Sequence, residues 1–143
     1  MKYILIFLIA ASAMYAQDVK QGTLIVHITK IDTTIDGQIV AKLHRGLETW
    51  LKDAEVINEV KALPDNDTVV VKFEDIIFSK YYAVQVFHDE DLDGEIDFSF
   101  FPPGPEEGVG ISNNNLSMGP PRFKDARFEF SVDKQVIENS MNY

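Results

Sequence analysis

Tyr82-Ala83-Val84-Gln85-Val86-Phe87-His88 runs without a break into Asp89-Glu90-Asp91-Leu92-Asp93-Gly94-Glu95-Ile96-Asp97. The first half puts Tyr82, Val84 and Val86 on one side of an extended chain. That period of two marks a β-strand with one buried face. The second half ends the pattern. Carboxylates recur at Asp89, Asp91, Asp93 and Asp97, and Gly94 follows the third. This is the front of a calcium loop of the D-x-D-x-D-G type. Acids at every second position of a tightly turning segment can converge on one centre. Gly94 supplies the backbone freedom that the turn needs.

The alternation recurs on both sides of this stretch. Leu24, Val26 and Ile28 form one inward row, and Ile39, Ala41 and Leu43 form a second after the Asp36-Gly37 turn. Val69, Val71 and Phe73 form a third after Pro64-Asp65-Asn66-Asp67, and Ala126, Phe128, Phe130 and Val132 form another near the end. Short strands separated by turns predict an all-β chain, a single antiparallel β-sandwich of about seven strands over residues 17–143. Leu47, Trp50, Leu51, Ala54 and Ile57 fit a helical period instead. Residues 47–61 therefore read as either one short helix or an irregular crossover. Residues 98–121 hold five of the six prolines and show no period. The large apolar residues there argue for an ordered loop across one end of the sandwich.

Composition narrows the function classes. Lys2, the apolar run Tyr3–Ala11 and the small residues that follow form a signal peptide over residues 1–16. Cleavage is expected after Ala13 or Ala16. The apolar run is too short for a permanent span, and the mature chain is expected to contain none. The formal net charge is −10, and losing Lys2 makes the remainder more acidic still. Such a surface disfavours nucleic acid and anionic lipid. With no cysteine, disulfides, thiol chemistry and cysteine-ligated zinc are excluded. The expected location is periplasmic or secreted, with an extracytoplasmic partner of unknown identity.

In a calcium loop, Asp89, Asp91 and Asp93 offer side-chain oxygens at the first, third and fifth positions. Glu95 offers its backbone carbonyl at the seventh, and Asp97 contributes at the ninth directly or through water. The twelfth position should be a bidentate Glu, but it is Phe100, and no helices flank the loop. The missing ligand must be water or come from elsewhere. Glu106, Glu107, Asn113 and Asn114 are oxygen donors in a segment that can fold back. A bare solvated turn is the competing account, since Asp-Gly turns a chain without metal. A bare turn has no use for so many repelling carboxylates, which favours calcium or a similar hard cation.

No catalytic or organic-cofactor residue stands out, and the chain reads as a non-enzymatic accessory or binding domain. His88 beside Asp89 can be imagined as a hydrolase base, but a strand-end histidine bonded to the loop accounts for it as well. Ser112 lacks the G-x-S-x-G setting of a nucleophile. Phe98, Phe100 and Phe101 suit loop packing better than a sugar- or peptide-binding platform, which exposure of these rings in a concave surface would favour.

Three ordered motifs carry a resemblance. They are Tyr82–Asp97 itself, then Gly104-Pro105-Glu106-Glu107-Gly108-Val109-Gly110-Ile111-Ser112-Asn113-Asn114, then Gly119-Pro120-Pro121-Arg122-Phe123-Lys124-Asp125-Ala126. Together they resemble the bacterial secreted proteins grouped as domain of unknown function 2141, over about Leu24 to Val132. The resemblance implies an exported, mostly β domain similar to transthyretin-like or prealbumin-like sandwiches, and it implies no activity. Asp91 and Asp93 stand where that family often has Asn, which adds charge for a divalent ion.

Export is directly testable. In a Gram-negative host, mass spectrometry of the exported fraction should show a chain that begins after Ala13 or Ala16. Intact Met1 retained in the cytosol would contradict the reading.

Overall fold

The computed structural model describes residues 19–52, 56–78, 80–114 and 119–143. The leader read over residues 1–16 lies outside them. So do Ala54 of the helical-period segment and Asn115, Leu116 and Met118 of the long loop.

Among the described residues ten strand segments and one α-helical turn follow in order, with a 3-10 turn at Ser112–Asn114 ahead of the α-helical one. They are β1 (Gln21–Thr29), β2 (Gln38–Arg45), β3 (Asn58–Ala62), β4 (Thr68–Ile77), β5 (Lys80–Asp89), β6 (Phe98–Phe100), β7 (Pro103–Pro105), β8 (Val109–Ile111), α1 (Phe123–Ala126), β9 (Phe128–Phe130) and β10 (Lys134–Ser140). The count exceeds seven because β6 to β9 are three-residue pieces. One sheet has the order β10-β1-β4 and the second has β3-β2-β5-β8, with β9 also on β5. Strands β6 and β7 pair only with each other. Every pair is antiparallel except β1–β10, which runs parallel from Thr23↔Lys134 to Thr29↔Ser140.

The two larger sheets face each other across the rows read from the sequence. Leu24, Val26 and Ile28 of β1 and Val69, Val71 and Phe73 of β4 are buried. Opposite them Ile39, Ala41 and Leu43 of β2 and Tyr82, Val84 and Val86 of β5 are buried in the same cluster. Full burial of each such aliphatic side chain stabilises the fold by roughly 1.5–3 kcal/mol. The last row differs from expectation. Phe130 is buried, Phe128 only partly, and Val132 is exposed, because β9 ends at Phe130. Lys134–Ser140 then forms β10, a strand the alternation does not reveal.

Strand β2 is buried on both faces. Val40, Lys42 and His44 alternate with the core row and are buried too. A second cluster of Trp50, Ala83, Ile111, Phe123 and Ala126 covers this side of the sheet. Trp50 Nε1 donates to the Pro121 carbonyl at 2.7 Å, which ties the segment after β2 to the entry of α1. Within 47–61 the described residues form turns and then β3, so the crossover account fits them. The Trp50 amide donates to Leu47 O and the Lys52 amide to Thr49 O, and Leu51 sits at φ 57.

The long loop is less formless than its composition suggests. It makes the β6–β7 hairpin, adds β8 to the edge of β5, and passes through a single 3-10 turn at Ser112–Asn114. The Ser112 hydroxyl accepts from the Val84 amide at 2.9 Å and donates to the Ala126 carbonyl at 2.6 Å. It completes the hydrogen bonding of β5 just beyond β8.

Val84 has no exposed surface. Val84→Asp places an unpaired charge between the sheets and should cost several kcal/mol. Thermal melting checks this, and a midpoint within a degree or two of wild type would mean the core face is misassigned.

Candidate metal centre

The candidate centre begins where β5 ends. His88 shares the inward phase of Val84 and Val86, so Asp89 points to the other side of the sheet. There Asp89 pairs with Gln38, the first residue of β2. Asp89 is fully buried. Its Oδ2 accepts from Gln38 Nε2 at 2.7 Å and from the Gly94 amide at 3.2 Å. Its Oδ1 is buried with no hydrogen-bond partner. An ionised carboxylate has room for about four donors, and a buried acceptor left bare costs roughly 1–3 kcal/mol or more.

The loop that follows curls around this carboxylate. Asp91 Oδ1 accepts from the Asp93 amide at 3.2 Å, and Asp93 Oδ1 accepts from the Glu95 amide at 2.7 Å. Leu92 and Gly94 both take the left-handed region, at φ 66 and φ 84. That is the freedom the sequence placed at Gly94. Lys42 Nζ donates to the Gly94 carbonyl at 3.1 Å and lies 4.8 Å from the centre of the Phe87 ring. From the other side Gly37, at φ 135, approaches so closely that a Cβ there would lie 2.4 Å from the Asp89 carbonyl oxygen.

The remote donor is Glu107. It is buried, with Oε1 accepting from the Glu90 amide at 2.9 Å and Oε2 from the Asp97 amide at 3.4 Å. The β6–β7 hairpin delivers it. The hairpin closes through the Glu106 amide on the Asp97 carbonyl, and the His88 amide then donates to the Gly108 carbonyl. Ligand atoms of Asp89, Asp91 and Glu107 lie within 4.8 Å of one another. Among the other expected positions, Asp93 and Asp97 stand outside this trio, and Glu95 was expected to offer only its carbonyl. Of the loop donors whose side chains are described, Glu107 is the one that arrives, and the Asn114 side chain lies outside them. Glu106 is exposed, and Asn113 Nδ2 instead donates to the Asp125 and Arg127 carbonyls.

The electrostatics reflect this crowding. Burial pushes the Glu107 carboxyl above its ordinary value of 4.5, and the negative charges of Asp89 and Asp97 push the same way. The amides of Glu90 and Asp97 oppose the shift. Asp97 is also raised, first by desolvation and then by Asp91, Asp93 and Glu106. All three trio members are hard oxygen donors, which suits calcium or magnesium rather than a thiophilic metal.

His88 is placed differently. It is fully buried, and Nδ1 lies 2.8 Å from Tyr143 Oη, which itself accepts from the Asp32 amide. Burial lowers its pKa below 6.5 against the opposing charges of Glu90, Asp32 and Asp89. The bond to the acidic loop expected of a strand-end histidine is thus replaced by one to Tyr143. Phe98, Phe100 and Phe101 are exposed rather than packed into the loop.

A family model described as an uncharacterized protein conserved in bacteria (DUF2141) matches residues 26–138. No curated protein matches the chain, and no solved structure does.

The raised Glu107 carboxyl gives a signed pH prediction. A pKa above the unfolded value contributes stability that is present below that unfolded value and lost as pH rises through the folded one. In chelator, wild type should therefore lose stability relative to Glu107→Gln as pH rises through the raised Glu107 pKa, on top of the constant amount the variant loses by giving up one acceptor for the Glu90 and Asp97 amides. That loss should be recovered as pH falls through the raised Glu107 pKa and approaches the ordinary 4.5. Melting curves across that window check it. A difference in midpoint that stays constant with pH would mean that ionised Glu107 carries no strain.

Proposed function

The chain belongs to this family of uncharacterised bacterial proteins, and from that premise we propose that it is an exported, non-enzymatic accessory or binding domain locked by a calcium ion. Asp89, Asp91 and Glu107 hold the ion. One observation carries this reading. The bare Oδ1 of a fully buried Asp89 lies in a carboxylate that is gathered with those of Asp91 and Glu107 within 4.8 Å. A cation turns mutual repulsion into coordination and satisfies the oxygen that the protein leaves bare. Further coordination positions fall to water or to Asp93, Glu95 and Asp97 at the loop rim. The ion's role is mechanical. It clamps Glu107, and with it the root of the β6–β7 hairpin, to the end of β5.

Two facts support a non-enzymatic role. His88 is buried against Tyr143, and the Ser112 hydroxyl is committed to two backbone groups. Export rests on the leader sequence, and the acidic composition fits a calcium-rich exterior. Among the described residues no helix is long and apolar enough to cross a membrane.

Calcium titration followed by thermal melting tests the proposal. Extracellular calcium modules bind at roughly 10⁻⁴ to 10⁻³ M. At about ten times the dissociation constant, linkage gives roughly 1.4 kcal/mol, a rise of a few degrees in Tm. Asp91→Ala and Glu107→Gln should each abolish the rise while keeping the fold. Saturating calcium should also raise the melting temperature of wild type relative to Glu107→Gln. An unchanged Tm in millimolar calcium would reduce the acidic run to a turn.

A further inference from the structure

The β6–β7 hairpin projects its aromatic side chains into solvent. Phe98, Phe100 and Phe101 are 68%, 99% and 93% exposed. Phe98 and Phe100 share one face of β6, with Ser99 between them, and Phe101 follows at the turn. The hairpin pairs only within itself, Phe98 with Pro105 and Phe100 with Pro103. Leu92, at the tip of the neighbouring acidic loop, is exposed as well. Scattered exposed apolar residues need no explanation, but three large rings on one short hairpin present a patch that water opposes.

The surrounding charge selects what can cover it. Between Lys80 and Arg122 the sequence holds eight carboxylates and no lysine or arginine. Asp97 and Glu106 flank the hairpin root, while Asp91, Asp93 and Glu95 line the adjoining loop, all exposed. From neighbouring strands Lys42 and Lys61 reach the acidic loop at Gly94, and with these two charges and one bound divalent ion the surface is still net negative. Anionic lipid and nucleic acid are repelled by such a field. A second copy of this chain carries the same formal charge of −10 and is disfavoured for that reason. A polypeptide that carries both basic and apolar side chains matches both features. Its cations pair with the carboxylates and sit over ring faces, and its apolar groups cover the ring edges.

We infer that the Phe98–Pro105 hairpin and the acidic rim beside it form a docking surface for a cationic, apolar-containing polypeptide segment of a partner protein. This goes beyond the calcium reading and stands whether or not an ion is bound. The occupant is a protein, since a lipid surface matches the rings but not the charge.

The test uses the purified chain and a synthetic peptide of alternating arginine and leucine, with fluorescence anisotropy as the readout. Saturable binding that weakens on adding salt is expected. The triple variant Phe98→Ser, Phe100→Ser, Phe101→Ser should weaken it at least tenfold with Tm unchanged. Should the triple variant melt early, Phe100→Ser alone decides, with a loss of at least threefold expected. Asp97→Asn with Glu106→Gln should weaken binding and flatten its salt dependence. A peptide with glutamate in place of arginine should not bind. Absence of saturable binding, or affinity unchanged in the serine variants, would overturn the proposal. Ring-dependent binding to phosphatidylcholine vesicles without peptide binding would overturn it in favour of lipid. Ring-dependent dimerisation in sedimentation without peptide binding would overturn it in favour of self-association.

Discussion

A carboxylate with no exposed surface sits at the end of the central strand, and the arrangement of the acidic end follows from satisfying it. Asp89 gives one oxygen to Gln38 and Gly94 and keeps the other bare. Burying an ionised carboxylate is costly unless donors or a cation surround it. Gly94 must turn back to supply its amide, and Gly37 must lack a side chain for β2 to pass so close. Glu107 adds a second buried carboxylate to the same place, so the cost rises instead of being shared. Two buried acids facing a third, exposed one make physical sense around a divalent ion.

The sandwich supplies the rigidity that this arrangement needs. Strand β5 pairs with β2 along its length and with β8 and β9 on its other edge. Its inward face is held by the core, and part of its outward face is covered by the Trp50 and Phe123 layer. The first residue of the acidic loop is therefore fixed by a strand that is buried along most of both faces. The residues after it leave the sheet, held by the Gly94 amide on Asp89 and by Lys42 on the Gly94 carbonyl, until Glu107 and the Gly108 carbonyl bring the chain back to β5. Between those anchors lies the hairpin, which meets the site at its root, where the Glu106 amide bonds the Asp97 carbonyl. A change at the trio can alter how that root is held without disturbing the core.

Much of the sandwich was legible because alternation records a one-sided strand. The rows of β1, β4 and β5 stand in the sequence as they stand in the fold. The second buried face of β2 did not show, since Lys42 and His44 look solvent-facing until the Gly94 turn and Phe87 receive Lys42 and Trp50 packs on His44. Strand β10 was hidden for the opposite reason. It is an edge strand, held by parallel backbone pairing to β1, and Val136 on it is exposed. At the site, Asp89 and Asp91 were readable from spacing, whereas the third member of the trio depends on a hairpin that prolines disguise. The sequence offers four oxygen donors in that loop, and only burial separates Glu107 from Glu106. The rings of Phe98, Phe100 and Phe101 were misread as packing because apolar composition carries no sign of which residues find a partner within the chain.

The central claim is that a hard cation joins Asp89, Asp91 and Glu107. Diffraction from crystals grown with calcium, collected where calcium scatters anomalously, tests it most directly. The account predicts an anomalous peak about 2.3–2.6 Å from Asp89 Oδ1 and from carboxylate oxygens of Asp91 and Glu107. A water molecule or an empty gap at Asp89 Oδ1, with calcium bound elsewhere or nowhere, would contradict it.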